Sequence, residues 1–250
     1  MKKELVKIGF TNKTYKTDKN HMFQEKIFNK FNHKIDYTLL ENFDFVPELI
    51  NETENTLEYQ WIDTKPLEFS EDVLIQIADN FKTLHDSKLK FPPTNVAARV
   101  REYRKVLQDK GIKIDAINDN FKRINSILKN SENNRPLHND LYKDNILLDK
   151  NGKVFFIDWE YASMGDKHFD LAYFICGSFL TPKQEKIFLD RYDTYWEEYL
   201  IQQKILVYYL TILWVNAQDV KHFDDAPLIQ KLNETIELFN YKKETKTFRD

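Results

Sequence analysis

The sequence contains one cysteine, Cys176, so it has no internal disulfide and no zinc site built from paired cysteines. Within AYFICGSF that cysteine reads as a small buried side chain rather than a nucleophile. Glycine is scarce: five in 250 residues, against a usual share of roughly 7 %. Neither GxGxxG nor GxxxxGK[ST] occurs, which removes a Rossmann dinucleotide site and a P-loop. Long apolar runs are missing as well. The longest, ILVYYLTILWV over 205–215, falls short of the roughly 20 residues a membrane-spanning helix requires. The start, MKKELVKIGF, lacks the apolar stretch of a signal peptide. No sign of charge dominates: 37 Lys and Arg stand against 40 Asp and Glu, with a pI near 6.1. Nucleic acid and membrane insertion are therefore not expected, and oligomeric state is left open. What remains, 42 % hydrophobic and 31 % charged, is the composition of an ordered chain. A soluble cytoplasmic protein is the expectation.

The texture changes along the chain. LVKIGF and NKTYKT read as two strands meeting at Gly9–Asn12, and LEYQWID (57–63) alternates like a third. Between them FQEKIFNKF (23–31) has helical spacing, with Phe23, Ile27, Phe28 and Phe31 on one face. From Ser70 helical patterns take over. Ser70 is placed to cap a helix through Leu84, and a second helix carries Val96, Val100, Tyr103 and Leu107 and stops at Gly111. A third runs roughly 115–129, and 183–240 is again helical and rich in aromatics. A small β-rich front and a large helical back suggest an α+β chain of two lobes, 1–65 and 66–250.

LHNDLYKDNILL (137–148) crowds small polar residues before an apolar run, and NILLDKNGKVFFID carries an Asn151–Gly152 turn between two such runs. A two-residue loop pairs Leu147 with Phe156 and sets Asn145 opposite Asp158, on one face of a hairpin. Asp140 feeds the same end. An Asn carbonyl and an Asp carboxylate, with phosphate oxygens, suit Mg²⁺. A further carboxylate nearby can take a proton from a hydroxyl and orient it for attack, the arrangement of the kinase loop Asp-x-x-x-x-Asn with a later metal-binding Asp. His138 is expected to brace this loop rather than react.

LHNDLYKDNILL followed by VFFIDWEYASMGDKHFDLAYF resembles the choline/ethanolamine kinase branch of the aminoglycoside phosphotransferase superfamily. GFTNKTYK is similar to its nucleotide-loop segment, and LEYQWIDTKPL to the hinge strand that receives adenine. The resemblance implies a protein-kinase-like two-lobe fold with a reduced β-rich N-terminal lobe. It further implies ATP and Mg²⁺ as cofactors. Asp140 would be the base, Asn145 and Asp158 the metal ligands, and Asp170 a brace beneath the loop. Gly9, Thr11 and Asn12 would cover the phosphates, with Tyr59 and Trp61 on the nucleotide side. Glu160 and Tyr161 would serve the acceptor, as would Trp214, which resembles the tryptophan of a choline-pocket helix.

One departure stands out. The family's third strand, bearing a phosphate-pairing Lys or Arg, is expected to be shortened or fused, because the chain runs from NKTYKT almost directly into FQEKIF. Lys13 or Lys16, with Glu25, is the expected substitute. The acceptor region holds Tyr192, Tyr195, Trp196, Tyr199, Tyr208, Tyr209 and Trp214. Aromatic faces bind a quaternary ammonium, which has no proton to donate. Choline is therefore the expected acceptor. Acidic residues in the same region (Asp190, Asp193, Glu197, Glu198, Asp219, Asp224, Asp225) keep ethanolamine, an aminoglycoside or another amine as alternatives. A non-catalytic nucleotide-binding scaffold is the remaining one.

Overall fold

The computed structural model describes residues 2–8 and 12–249. β1 (Lys3–Ile8), β2 (Asn12–Thr17), β3 (His21–Lys26), β4 (Leu49–Glu52) and β5 (Thr56–Gln60) form one antiparallel sheet in the order β1-β2-β3-β5-β4. The helix expected over 23–31 is therefore a strand for its first half. Phe23 lies opposite Tyr15 on one side and Glu58 on the other, while Ile27 and Phe28 are exposed. A short helix has a costly nucleus and few bonds of its own; two neighbouring strands offer this segment a ladder on each edge. The third strand is thus present, and the segment from 27 to 36 carries no helix before a 3-10 turn at Tyr37–Asn42.

The second, larger lobe is mostly helical. It contains α1 (Glu71–Asp86), α2 (Val96–Asp109), α3 (Asp115–Asp119), α4 (Phe121–Asn130), α5 (Lys167–Gly177), α6 (Pro182–Tyr192), α7 (Glu197–Ala217) and α8 (Ala226–Thr245). Ser70 Oγ accepts the amide of Val73 at 3.4 Å, so α1 starts at the expected cap. Gly111 follows α2 at a φ of +68°, the left-handed conformation in which glycine commonly ends a helix. The single helix expected over 115–129 is broken at Asn120 into α3 and α4.

Short strands hold the functional segment against these helices: β6 (Thr64–Lys65), β7 (Arg135–Leu137), β8 (Ile146–Asp149), β9 (Val154–Phe156) and β10 (Ser163–Gly165). β6-β8-β9 make one small sheet and β7-β10 another. Phe81 of α1 anchors them, its ring 5.5 Å from Phe156 of β9, 6.1 Å from Phe174 of α5 and 5.9 Å from Phe188 of α6. All four are buried. Each contributes about 1.5–3 kcal/mol by leaving water, and together they fix the β8–β9 hairpin against α5.

Candidate active site

The hairpin forms, but in a different register from the one its turn suggests. Leu148 pairs with Val154, Leu147 with Phe155 and Ile146 with Phe156, one residue away from the expected alignment. The loop holds three residues, because Asp149 closes on Lys153: its amide donates to the Lys153 carbonyl at 2.9 Å. Gly152 supplies the left-handed position at φ +89° that a three-residue loop of this kind uses. Asn145 therefore meets Ile157, whose amide donates to the Asn145 carbonyl at 3.0 Å. A one-residue slip sends the next side chain to the other face. Asp158 corrects this by leaving the strand at φ 66°, ψ 58°, a left-handed kink that Asp and Asn tolerate better than most residues. The kink, not the turn alone, brings Asp158 back to the cavity that Asn145 and Asp140 also line.

The 138–145 loop is pinned from below. Asp170, fully buried at the first turn of α5, accepts the amides of His138 (2.8 Å) and Asn139 (2.7 Å). His138 Nε2 donates to the Ile157 carbonyl at 3.0 Å, and its Nδ1 accepts the Asp140 amide at 3.3 Å, which sets a neutral tautomer. Burial pulls its pKa down to about 4, in keeping with that neutral ring. Asn145 donates its amide to the Asp140 carbonyl at 2.8 Å, leaving its side-chain oxygen as the atom available to an ion. Tyr173, one turn beyond Asp170 on α5, donates its hydroxyl to Asp140 Oδ1 at 2.5 Å. Burial raises the Asp140 pKa to about 7; the Tyr173 hydrogen bond and the Arg99 charge oppose that rise.

The sheet closes the site from above with amides. Asn12 donates to Asp158 Oδ1 and to Glu160 Oε2, each at 3.2 Å, and Gln24 reaches Asp158 Oδ1 at 3.4 Å. Glu160, only 1 % exposed, also accepts from Asn32 at 2.7 Å and sits 3.2 Å from His33 Nε2. It is not among the residues lining the cavity. Glu160, expected to serve the acceptor, is bonded to Asn12, Asn32 and His33 in this ligand-free structure and ties the 27–33 segment to the helical lobe. The segment supplies two of these partners, Asn32 and His33, from an irregular stretch that carries no helix.

The cavity itself has a volume of about 910 Å³ and runs between the sheet and the helical lobe. Asn12, Tyr59 and Trp61 line its sheet side, whereas Gly9 and Thr11 lie outside the described residues. Tyr161, stacked with Arg99, lines it on the helical side, as do Tyr208 and Trp214, with the Trp214 ring 6.3 Å from that of Phe223. The remaining aromatics of that region serve other purposes. Tyr192 and Tyr209 are buried and hydrogen-bonded to His85 and Arg104, and Trp196 and Tyr199 are exposed outside the cavity. Of the acidic residues in the same region, Asp224 lines the cavity.

Lys13, Lys16 and Glu25 are not among the residues lining the cavity. Lys13 is exposed, Lys16 lies over the Trp61 ring at 4.4 Å, and Glu25 meets Lys3 and Tyr15 on β3. Lys26, further along β3, donates to Glu52 at 2.7 Å instead. Among the cavity-lining residues that sequence reasoning missed are Gln24, Arg99, Tyr173 and Phe179. Arg99 had a signal, because it interrupts the apolar face Val96, Val100, Tyr103 of α2. Tyr173 had one in its spacing of three from Asp170. Phe179 had none; its φ of +52°, costly for a bulky residue, is a property of the fold.

The donor set can be tested against a divalent ion. Among the described residues no group of three or more His, Cys, Asp or Glu could hold a metal unaided. One carboxylate, Asp158, and one amide oxygen, Asn145, require phosphate oxygens and water to complete a shell, which is the usual way Mg²⁺ is held at a nucleotide. The residues fit an ion that arrives with its nucleotide.

A carboxylate on a braced loop, a hard-oxygen pair across a hairpin and a cavity closed by an antiparallel sheet define a protein-kinase-like enzyme acting on a small molecule. Residues 15–245 match the choline/ethanolamine kinase family, and the chain belongs to it. A relative from Metamycoplasma hominis, a protein LicA homolog, is 43 % identical over 250 residues, covering 98 % of this chain and all of the relative. The fold is shared with the choline kinase LicA from Streptococcus pneumoniae, with a TM-score of 0.74, 20 % identity and coverage of 96 % of this chain and 94 % of that one. It is equally shared with LicA in complex with AMP, at a TM-score of 0.74, 19 % identity and coverage of 96 % and 92 %. The chain is a small-molecule kinase.

Proposed function

We propose that the chain transfers the γ-phosphoryl group of Mg²⁺–ATP to the hydroxyl of choline, giving phosphocholine and ADP in the cytoplasm. Asp140 accepts the hydroxyl proton as the oxygen attacks phosphorus; the new O–P bond forms as the bond to ADP breaks, and ADP leaves with its charge. Asn145 and Asp158 would hold the metal, which neutralises the phosphates. Asn12, Tyr59 and Trp61 bound the nucleotide side, and His138 and Asp170 keep the loop in place. The lobe boundary falls at 65/66, with β6 crossing over to pair with β8.

The observation that carries the choice of choline is the aromatic end of the cavity. Tyr208 and Trp214 line the same cavity as Asp140. Faces of this kind attract a quaternary ammonium by about 0.5–2 kcal/mol each. Asp224 at that end gives ethanolamine or a larger amine a carboxylate to bond, and is the one feature favouring a primary-amine acceptor. An ADP-release assay offering choline, ethanolamine and kanamycin separately tests the reading. Turnover on choline, lost in Trp214→Ala, is expected; turnover on ethanolamine or kanamycin in place of choline refutes the acceptor.

A further inference from the structure

Arg99 is 4 % exposed, yet its Nε and Nη1 are buried with no hydrogen-bond partner. Its guanidinium carbon lies 4.5 Å from the centre of the Tyr161 ring, and the side chain lines the cavity beside Asp140 and Tyr173. A buried cation with unmet donors is costly unless something supplies acceptors. Stacking on Tyr161 satisfies its charge in part but not its N–H groups. Those donors await oxygen atoms from outside the chain.

The acceptor's cationic end is the wrong charge to provide them. An ammonium is repelled by Arg99 and belongs at the aromatic end with Tyr208 and Trp214, which leaves the hydroxyl end towards Asp140 and Arg99. At that end Asp140 supplies a charge but accepts no hydrogen bond from the Arg99 Nε or Nη1, and the phosphoryl group in passage is the incoming group rich in oxygen and negative charge. The sheet offers it little. Asn12 and Gln24 are neutral, and among the described residues the cationic side chains lining the cavity are Arg99 and Lys143, both from the helical lobe. Lys143 is exposed, so Arg99 is the one held in a water-poor setting, where charge stabilisation is strongest.

We infer that Arg99 donates its free guanidinium hydrogens to the transferred phosphoryl group and then to the phosphate of the product, and by its charge orients the acceptor with its cationic end away. This rests on the kinase reading; only the orienting role depends on the acceptor being a cationic alcohol.

Slow hydrolysis of Mg²⁺–ATP without any acceptor is the deciding measurement, because water then takes the phosphoryl group at the same place. Arg99→Met is expected to lower that rate about 100-fold, with the KM for ATP changed less than about threefold, and Arg99→Lys to recover part of the loss. Arg99 also offsets the charge of Asp140, so its removal alone carries a stability cost, and the comparison is made between Arg99→Met and Arg99→Lys below the melting temperature of both. Retained ATP affinity and a cooperative melt in the Met variant show that it is folded when its hydrolysis rate is read. Phosphocholine binding is expected to weaken about tenfold or more in the same variant, while choline binding does not weaken. Hydrolysis at the parent rate in Arg99→Met overturns the inference, as does an equal loss of choline and phosphocholine affinity. Should the parent enzyme ignore choline and phosphocholine, the acceptor reading falls, and the hydrolysis comparison still decides the role of Arg99.

Discussion

The two walls of the cavity are built from different chemistry. The helical wall carries its charges: Asp140 on the braced loop, Asp158 at the kink, Arg99 on α2 and Lys143 beside Asp140. The sheet wall presents amides and aromatic or apolar surface, with Asn12 and Gln24 bonded to Asp158 rather than set as counter-ions. Kinase catalysis is mostly positioning and charge stabilisation. On the proposed reading the second task falls to the helical lobe, while the sheet supplies shape and bonds Asp158 through Asn12 and Gln24. A reduced N-terminal lobe is tolerable on those terms, since what it would lose in charge is carried below.

The largest expected effect lies on the helical wall. Asp140→Asn is expected to lower turnover by about 10³ or more while sparing ATP affinity, since it removes the proton acceptor but not the nucleotide contacts. The same substitution should stabilise the ligand-free protein. Asp140 has a folded pKa near 7 against an ordinary value of 3.8, raised chiefly by burial. Below the ordinary value the group is neutral in both states and costs nothing. As pH climbs towards 7 the unfolded chain ionises it first, so folded stability is progressively lost, and the penalty is constant above that. Thermal unfolding of Asp140→Asn and parent should therefore nearly coincide at pH 4 and diverge by several degrees at pH 8, corresponding to a few kcal/mol. Equal melting at pH 8 would mean that the carboxylate is better solvated than its burial indicates.

Tyr173→Phe removes one donor to that carboxylate on the same wall. Turnover is expected to fall about tenfold. Because the Tyr173 bond holds the Asp140 pKa down, the acid limb of the rate profile should move to higher pH. On the sheet wall, Gln24→Met takes away a long bond of 3.4 Å to Asp158 and should cost only about threefold in turnover. If Gln24→Met hurts more than Tyr173→Phe, the contrast between the walls is wrong.

The contrast also governs what the sequence revealed. His138, Asp140, Asn145, Asp158 and Asp170 fall within 33 residues, and short-range spacing plus a hairpin signal was enough to group them. Even there the register was off by one, because the loop has three residues and a left-handed Asp158 undoes the slip; neither feature leaves a pattern in the letters. The sheet wall depends on partners far apart. Asn12 meets Asp158 across 146 residues, and β3 is a strand because β2 and β5 flank it, not because of its own periodicity. FQEKIF therefore read as a helix, and Gln24 went unnoticed. Glu160 was assigned by its neighbours in the chain and is placed by neighbours in space.

The smallest effects test whether the sheet wall truly lacks a phosphate cation. Strand alternation separates the two lysines once expected there. Asn12 and Thr14 line the cavity, so Lys16 shares their face of β2 and Lys13 points the other way. Lys13→Met should leave both turnover and the KM for ATP within about twofold of the parent, as an exposed side chain away from any special contact does. Lys16 sits over Trp61 at 4.4 Å, and Trp61 lines the cavity. Lys16→Met should therefore loosen the nucleotide side, raising the KM for ATP by about two- to fivefold for one cation–π contact, with turnover at saturating ATP unchanged. A cation on the phosphates acts in the transition state and would show instead as a fall in turnover. A tenfold loss of turnover in either variant would thus hand a share of charge stabilisation to the sheet, and the division of labour between the walls would have to be redrawn.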